Sequence, residues 1–198
     1  MLRALVACLA VVASSCANVP SDYKLDPAKP VGLVVGSITY ESSIGEYGLV
    51  AQSIETSKRI VFKVGHGEWT PFTRMHDDDL GMRGGTFAVE VPSGEYRIVG
   101  WQVRQGFSTS RSTHPVEVPF LVQSGQSTYL GNLHFSPHWV ASLHDQATRD
   151  LPILERRFRA LRSSPLAIAI SEGTHLEQFG GGYMSRTDIP IFIPVTVR

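Results

Sequence analysis

Between residues 31 and 135 the chain is a succession of short β-branched or alternating apolar runs separated by turn residues. A period of two places successive side chains on opposite faces, so such runs bury themselves as strands and not as helices. The runs predict strands over residues 31–40, 48–54, 59–64, 86–91, 95–103, 116–122 and 127–135. No helical pattern alternates with them, which argues against a parallel α/β sheet and for two antiparallel sheets packed face to face. Pro92-Ser93-Gly94 predicts a hairpin turn between a strand with Phe87, Val89 and Val91 on one face and Ala88 and Glu90 on the other and a strand in which Tyr96 and Ile98 alternate against Arg97. Gln123-Ser124-Gly125-Gln126 predicts a second hairpin.

One segment departs from this pattern. Asp150 is a candidate N-cap and Pro152 is tolerated in a first turn, which predicts one amphipathic helix near residues 150–162. Its apolar stripe is Leu151, Leu154, Phe158 and Leu161. Arg156, Arg157 and Arg159 fall off that stripe, with Arg162, and form either a solvated face or a contact for anionic headgroups, lipopolysaccharide or an acidic partner. Residues 167–171 and 189–197 are further strand candidates, the last at an edge because it contains Pro190 and Pro194. Gly180-Gly181-Gly182 reads as a flexible loop. The expectation is a mainly β protein: an antiparallel β-sandwich over 31–198 with one docked helix.

Composition narrows the function classes. Of 198 residues, 42% are hydrophobic and 18% charged, so the chain can bury a core and is not of disordered type. Eighteen basic residues balance eighteen acidic ones, which lacks the basic excess of a general nucleic-acid binder.

The first residues have the proportions of an export leader. A single basic residue, Arg3, precedes the apolar run from 4 to 13, too short for the roughly 20 residues that span a bilayer. Both cysteines, Cys8 and Cys16, fall in or at the end of this stretch, so a body beginning at 17 can hold no disulfide. Ala13-Ser14-Ser15-Cys16 resembles the lipobox of bacterial lipoproteins, with Ala where that family usually has Leu. The resemblance implies a signal peptide over 1–15, removed before Cys16, and diacylglycerol and a further acyl chain such as palmitate on that cysteine. Ala17, in place of Asp, implies export to the outer membrane. Ala13 and Ser15 also fit ordinary signal peptidase, which would leave a periplasmic or secreted protein. Residues 16–30, with Pro20, Pro27 and Pro30, read as the lipidated cysteine and an extended tether.

The stretch from Thr86 to Arg97 resembles the strand–turn–strand of carboxypeptidase regulatory-like, prealbumin-like sandwiches, which end a strand at Pro-x-Gly-x-Tyr; an Ig-like sandwich is the alternative architecture. That resemblance implies a non-catalytic envelope or adhesion-type module without an active site.

Candidate chemistry is sparse. His66, His76 and the Asp77-Asp78-Asp79 run lie in one polar connection, but their spacing matches neither an EF-hand nor a zincin helix. His134, His138 and His144 could hold zinc, copper or nickel only if folding brings them together, because Pro137 interrupts any helical register. There is no Gly-x-Ser-x-Gly elbow, and the glycines at 81, 84 and 85 fit no phosphate loop. Among the aromatics, Trp101 is expected in the core, whereas Trp69, beside Pro71, is expected as an exposed contact. The sequence therefore predicts a membrane-anchored, non-catalytic binding or scaffolding module without a cofactor, meeting an envelope protein or glycan through loops 65–85 and 106–115. The alternative is a metal-assisted periplasmic or secreted hydrolase using the histidines.

Overall fold

The computed structural model describes residues 18–41, 45–65, 76–137, 140–170 and 174–187. Two sheets pack face to face. The first runs β12 (His175–Leu176), β10 (Ala141–His144), β9 (Ser127–Phe135), β1 (Val31–Tyr40), β5 (Met82–Pro92) and β4 (His76–Asp77), with β11 (Leu166–Ile168) also paired to β9. The second runs β13 (Tyr183–Thr187), β7 (Ser108–Ser112), β6 (Gly94–Gln105), β2 (Glu46–Ser53) and β3 (Arg59–Gly65), with β8 (Val118–Val122) on β6. Antiparallel pairs dominate; β1–β9 and β11–β9 are parallel. The mainly β sandwich with a docked helix is thus the observed architecture, and β1 and β9 occupy the predicted residues.

Both predicted hairpins are instead crossings between the sheets. β5 pairs with β1 while β6 pairs with β2, β7 and β8. Only Ser93 separates the two strands, and Gly94 takes φ 151, so the chain turns a corner there. The Tyr96 hydroxyl donates to the Pro92 carbonyl at 2.9 Å and clamps that corner. β8 and β9 likewise part company, because β9 is buried on both faces and needs a neighbour on each edge; it takes β1 and β10, while β8 alternates along the outside of β6.

The inner faces interdigitate into one core. Val34, Ile38, Phe87, Leu130, Leu133 and Phe135 from the first sheet meet Tyr47, Leu49, Phe62, Ile98, Trp101 and Val103 from the second. Aromatic pairs lie within it: Tyr40 stacks on Tyr47 at 4.2 Å, and Trp101 meets Phe135 edge-on at 5.4 Å.

The helix α1 spans Ala147–Arg157 and is followed, after an extended Phe158, by a 3-10 turn over Arg159–Arg162. It starts three residues before the predicted point. The predicted cap Asp150 lies inside its first turn, fully buried, and Gln146 is the N-cap. Leu154, Phe158 and Leu161 are buried against Leu33, Val35, Ala88 and Tyr129 on the outer face of the first sheet, as the stripe required.

Residues 18–30 do not stand off the body as an extended tether. Val19 N–H donates to Ala88 O at 2.8 Å, the Asn18 side chain accepts from Ala88 N–H at 2.9 Å, and the Tyr23 hydroxyl meets Glu90. Val19, Tyr23 and Leu25 pack beside the helix because their apolar side chains complete its contact with the sheet. The loop 180–182 is likewise seated: Phe179 O accepts from Trp101 Nε1 at 2.8 Å, and Gly180 lies on Trp101 with φ +80. β13 beyond it was not foreseen; the predicted strand 189–197 lies outside the described residues.

Candidate functional sites

The outer face of the first sheet is graded. Under the helix it is apolar; at the helix N-terminal end it becomes polar; past that end it carries histidines. The polar strip centres on Asp150, whose Oδ2 accepts from Ser37 Oγ at 2.5 Å and Tyr129 OH at 2.7 Å, while Arg149 reaches Oδ1 at 2.7 Å. Asn132 donates to Ser37 Oγ at 2.7 Å, so β1, β9 and α1 are tied together below the surface. Burial, then the Asp150 carboxylate, raises the Tyr129 pKa well above the phenolic range and keeps its hydroxyl a donor.

The histidines follow from sheet register. In the β9–β10 pair Ser142 faces His134, and in the β10–β12 pair His144 faces His175. Side chains two apart on a strand share a face, so His134, Ser142, His144 and His175 all project from the outer face. His134 and His144 have ring centroids 6.4 Å apart, whereas those of His144 and His175 are 4.1 Å apart with their Nδ1 atoms facing. Thr39 Oγ1 donates to Asn132 Oδ1 at 3.2 Å and lies 2.9 Å from His134 Nδ1. His134 Nε2 faces Glu41 Oε1 at 3.3 Å. The structure thus pairs His144 with His175, a residue that sequence reasoning had passed over; His138 lies outside the described residues. Among the described residues no three His, Cys, Asp or Glu side chains converge as a metal site.

Burial, followed by the His175 and His134 rings and Arg149, lowers the His144 pKa below the ordinary imidazole value, with Glu177 opposing. The unfolded chain therefore takes up this proton first. The folded state keeps its full stability above the ordinary imidazole pKa of about 6.5 and loses stability as pH falls below it. Urea midpoints measured between pH 7.5 and 5 should fall, and a His144→Gln variant should show a shallower decline.

A second feature lies on the opposite side of the molecule. The outer face of the second sheet holds a cleft of about 450 Å³ whose walls include Arg59, Arg97, Arg111, His114 and Glu117. Gln52 pairs with Arg59 on one side and Arg97 on the other, so these arginines sit in one row across three strands. Two strand spacings put their backbones roughly 10 Å apart. Arg97 binds Glu117 at 2.7 Å, yet its Nε is buried without a hydrogen-bond partner. Arg59 and Arg111 meet no carboxylate among the described residues. The cleft wall forms because β6 bulges at Val99–Gly100 and a Cβ on Gly100 would meet Ser112 Oγ at 2.1 Å; only glycine lets the β7 end approach. Part of the predicted 106–115 contact loop, including His114, borders this cleft.

The other predicted contacts are dispersed. Arg156 pairs with Asp79 at 2.9 Å, Arg157 donates to Thr86 Oγ1 at 3.0 Å and lies over Phe158, and Arg159 is exposed beside the docked residue Ser21. Trp101 is buried as expected. Cys16 and Trp69 lie outside the described residues, as do the His66 position and the remainder of the 66–75 connection. No described helix is long and apolar enough to cross a membrane.

No protein-family model and no curated protein matches the chain. Among solved structures it is similar to the crystal structure of a leucine-rich repeat protein from Bacteroides thetaiotaomicron, at 19% identity and a TM-score of 0.33. The likeness covers 55% of this chain and 14% of that one, so the chain matches only a small part of the larger protein.

Proposed function

We propose that this protein is an outer-membrane lipoprotein whose β-sandwich is a non-catalytic binding or scaffolding module. The observation that carries the reading is the apolar run 4–13 leading into Ala13-Ser14-Ser15-Cys16. The docking of the N-terminal segment adds a geometry to it. From Cys16 to the bound Asn18 an extended chain reaches at most about 7 Å. Lipid on Cys16 would therefore hold the body close to the bilayer on its helix side. The arginine-lined cleft, on the outer face of the other sheet, would look away from the membrane and toward its ligand.

Intact mass of protein extracted from membranes tests the anchor. Cleavage before Cys16 with diacylglycerol and a third acyl chain is expected, and a Cys16→Ala variant should move to the soluble fraction. An unlipidated, soluble wild-type protein would overturn the reading. A photocrosslinker at Gln102, which lines the cleft, should give adducts in the anchored protein that the same probe at Glu155, on the exposed side of α1, does not. Equal labelling at both positions would remove the cleft from the proposal.

A further inference from the structure

We propose that His144 and His175 form a two-nitrogen chelate for a late first-row divalent cation, with Nδ1 of each ring as the ligand atom and Ser142 and Glu177 as the groups that orient the rings. The site is independent of membrane anchoring.

The outer nitrogen of each ring faces an oxygen. His175 Nε2 lies 3.0 Å from Glu177 Oε1, an acceptor, so Nε2 carries the hydrogen and Nδ1 presents a lone pair. His144 Nε2 lies 2.6 Å from Ser142 Oγ, a group that can either donate or accept. When Ser142 donates to Nε2, the His144 hydrogen sits on Nδ1 and bridges to His175. A second arrangement is open as well. Ser142 can turn its hydrogen to the His134 carbonyl at 3.5 Å and accept from Nε2–H. His144 then also presents an Nδ1 lone pair, and two lone pairs face each other. Only a cation between them makes that arrangement favourable.

Metal binding needs no net proton loss from the neutral pair: the His144 hydrogen moves from Nδ1 to Nε2 and the Ser142 hydrogen turns onto the His134 carbonyl. Each ligand then donates its other ring N–H to an oxygen, the arrangement that fixes tautomer and raises basicity in histidine metal sites. The two residues sit directly opposite on neighbouring strands, so the backbone already sets their separation. His175 lies on a two-residue edge strand and its side chain is 46% exposed, which lets the ring move outward to the span that two bonds of about 2.0–2.1 Å require.

Two imidazoles leave further coordination positions to water or to a group brought by a partner. Nitrogen ligands favour copper(II) over nickel(II) and zinc(II) in affinity order. The charged and titratable groups facing the pair are His134 on β9, Arg149 on α1 and Glu177 beyond β12. Arg149 opposes a cation, but its charge is engaged by buried Asp150.

The test is a titration of the purified protein with copper(II) at pH 7.5, read by calorimetry and by electron paramagnetic resonance. The expected result is one site with splitting from two nitrogens. His144→Ala and His175→Ala should each weaken it at least tenfold, and Glu177→Ala by roughly tenfold through the lost ring orientation. His114→Ala, in the opposite cleft, should leave the affinity unchanged. Circular dichroism establishes that each variant is folded; exposed His175 and Glu177 lie outside the core, so these variants keep the test decisive if His144→Ala is not. Copper binding that survives both His175→Ala and Glu177→Ala, or no binding by the wild type at tenfold excess copper, would overturn the proposal.

Discussion

Replacing Asp150 with alanine should lower the unfolding free energy by about 3–5 kcal/mol, the range for deleting one partner of a buried charged network. The carboxylate is fully buried, and its loss leaves the Ser37 and Tyr129 hydroxyl hydrogens without their acceptor and the Arg149 guanidinium without its counter-charge. Each buried hydroxyl left without a partner costs about 1–3 kcal/mol. In urea the midpoint should drop with little change in slope, because the surface exposed on unfolding is the same. Asp150→Asn should recover part of the loss, since an amide oxygen still accepts from Tyr129. A fall of less than 1 kcal/mol for alanine would mean that the strip is solvated and does not tie the helix to the sheet.

Trp101→Ala should be comparably severe, about 3–5 kcal/mol for removing a large buried aromatic. Trp101 is 1% exposed, packs edge-on against Phe135, and holds Phe179 through its indole N–H. Its removal therefore does two separable things. Cavity formation lowers global stability, and loss of the anchor frees the chain from 177 to 187, which should become the first site of limited proteolysis. Trp101→Phe keeps most of the packing and deletes only the hydrogen bond. It should cost nearer 1–2 kcal/mol while opening the same proteolytic site. If the alanine variant stays resistant there, the segment holds through β13–β7 pairing and the bonds of Phe179 N–H to Ala141 O, His114 N–H to Gly180 O and Thr113 N–H to Gly182 O.

The sandwich could be read in the sequence because β1 and β9 are long, continuous runs with sharp polar ends, and burial on both faces leaves few other options. The two corners could not. Pro-Ser-Gly joins two alternating runs equally well as a hairpin or as a crossing, and the choice is made by partners distant in the chain, such as Val35 opposite Ala88. Asp150 obeyed the local grammar of a cap, yet Ser37 and Tyr129 beneath it turned it into a core group. The candidate sites show the same limit. His144 was singled out only as one of three histidines along the chain, while its neighbour His175 is 31 residues away and joined to it by β10–β12 register. No local signal marks it. Arg59, Arg97 and Arg111 are likewise brought to one cleft by pairing across the sheet and not by spacing.

The bonds from Asn18 and Val19 to Ala88 have a mechanical consequence. Ala88 sits on the side of β5 away from β1, past the short reach of β4, so the N-terminal residues cover an otherwise bare strand edge. A load applied upstream of residue 18 is carried first by those two bonds and by the packing of Val19, Tyr23 and Leu25, before any strand of the sandwich feels it. Under such a load the segment is expected to peel before the sandwich unfolds, adding some twelve residues, or roughly 40 Å when extended, and exposing the β5 edge that it covers; force spectroscopy would read this as a first rip of that length.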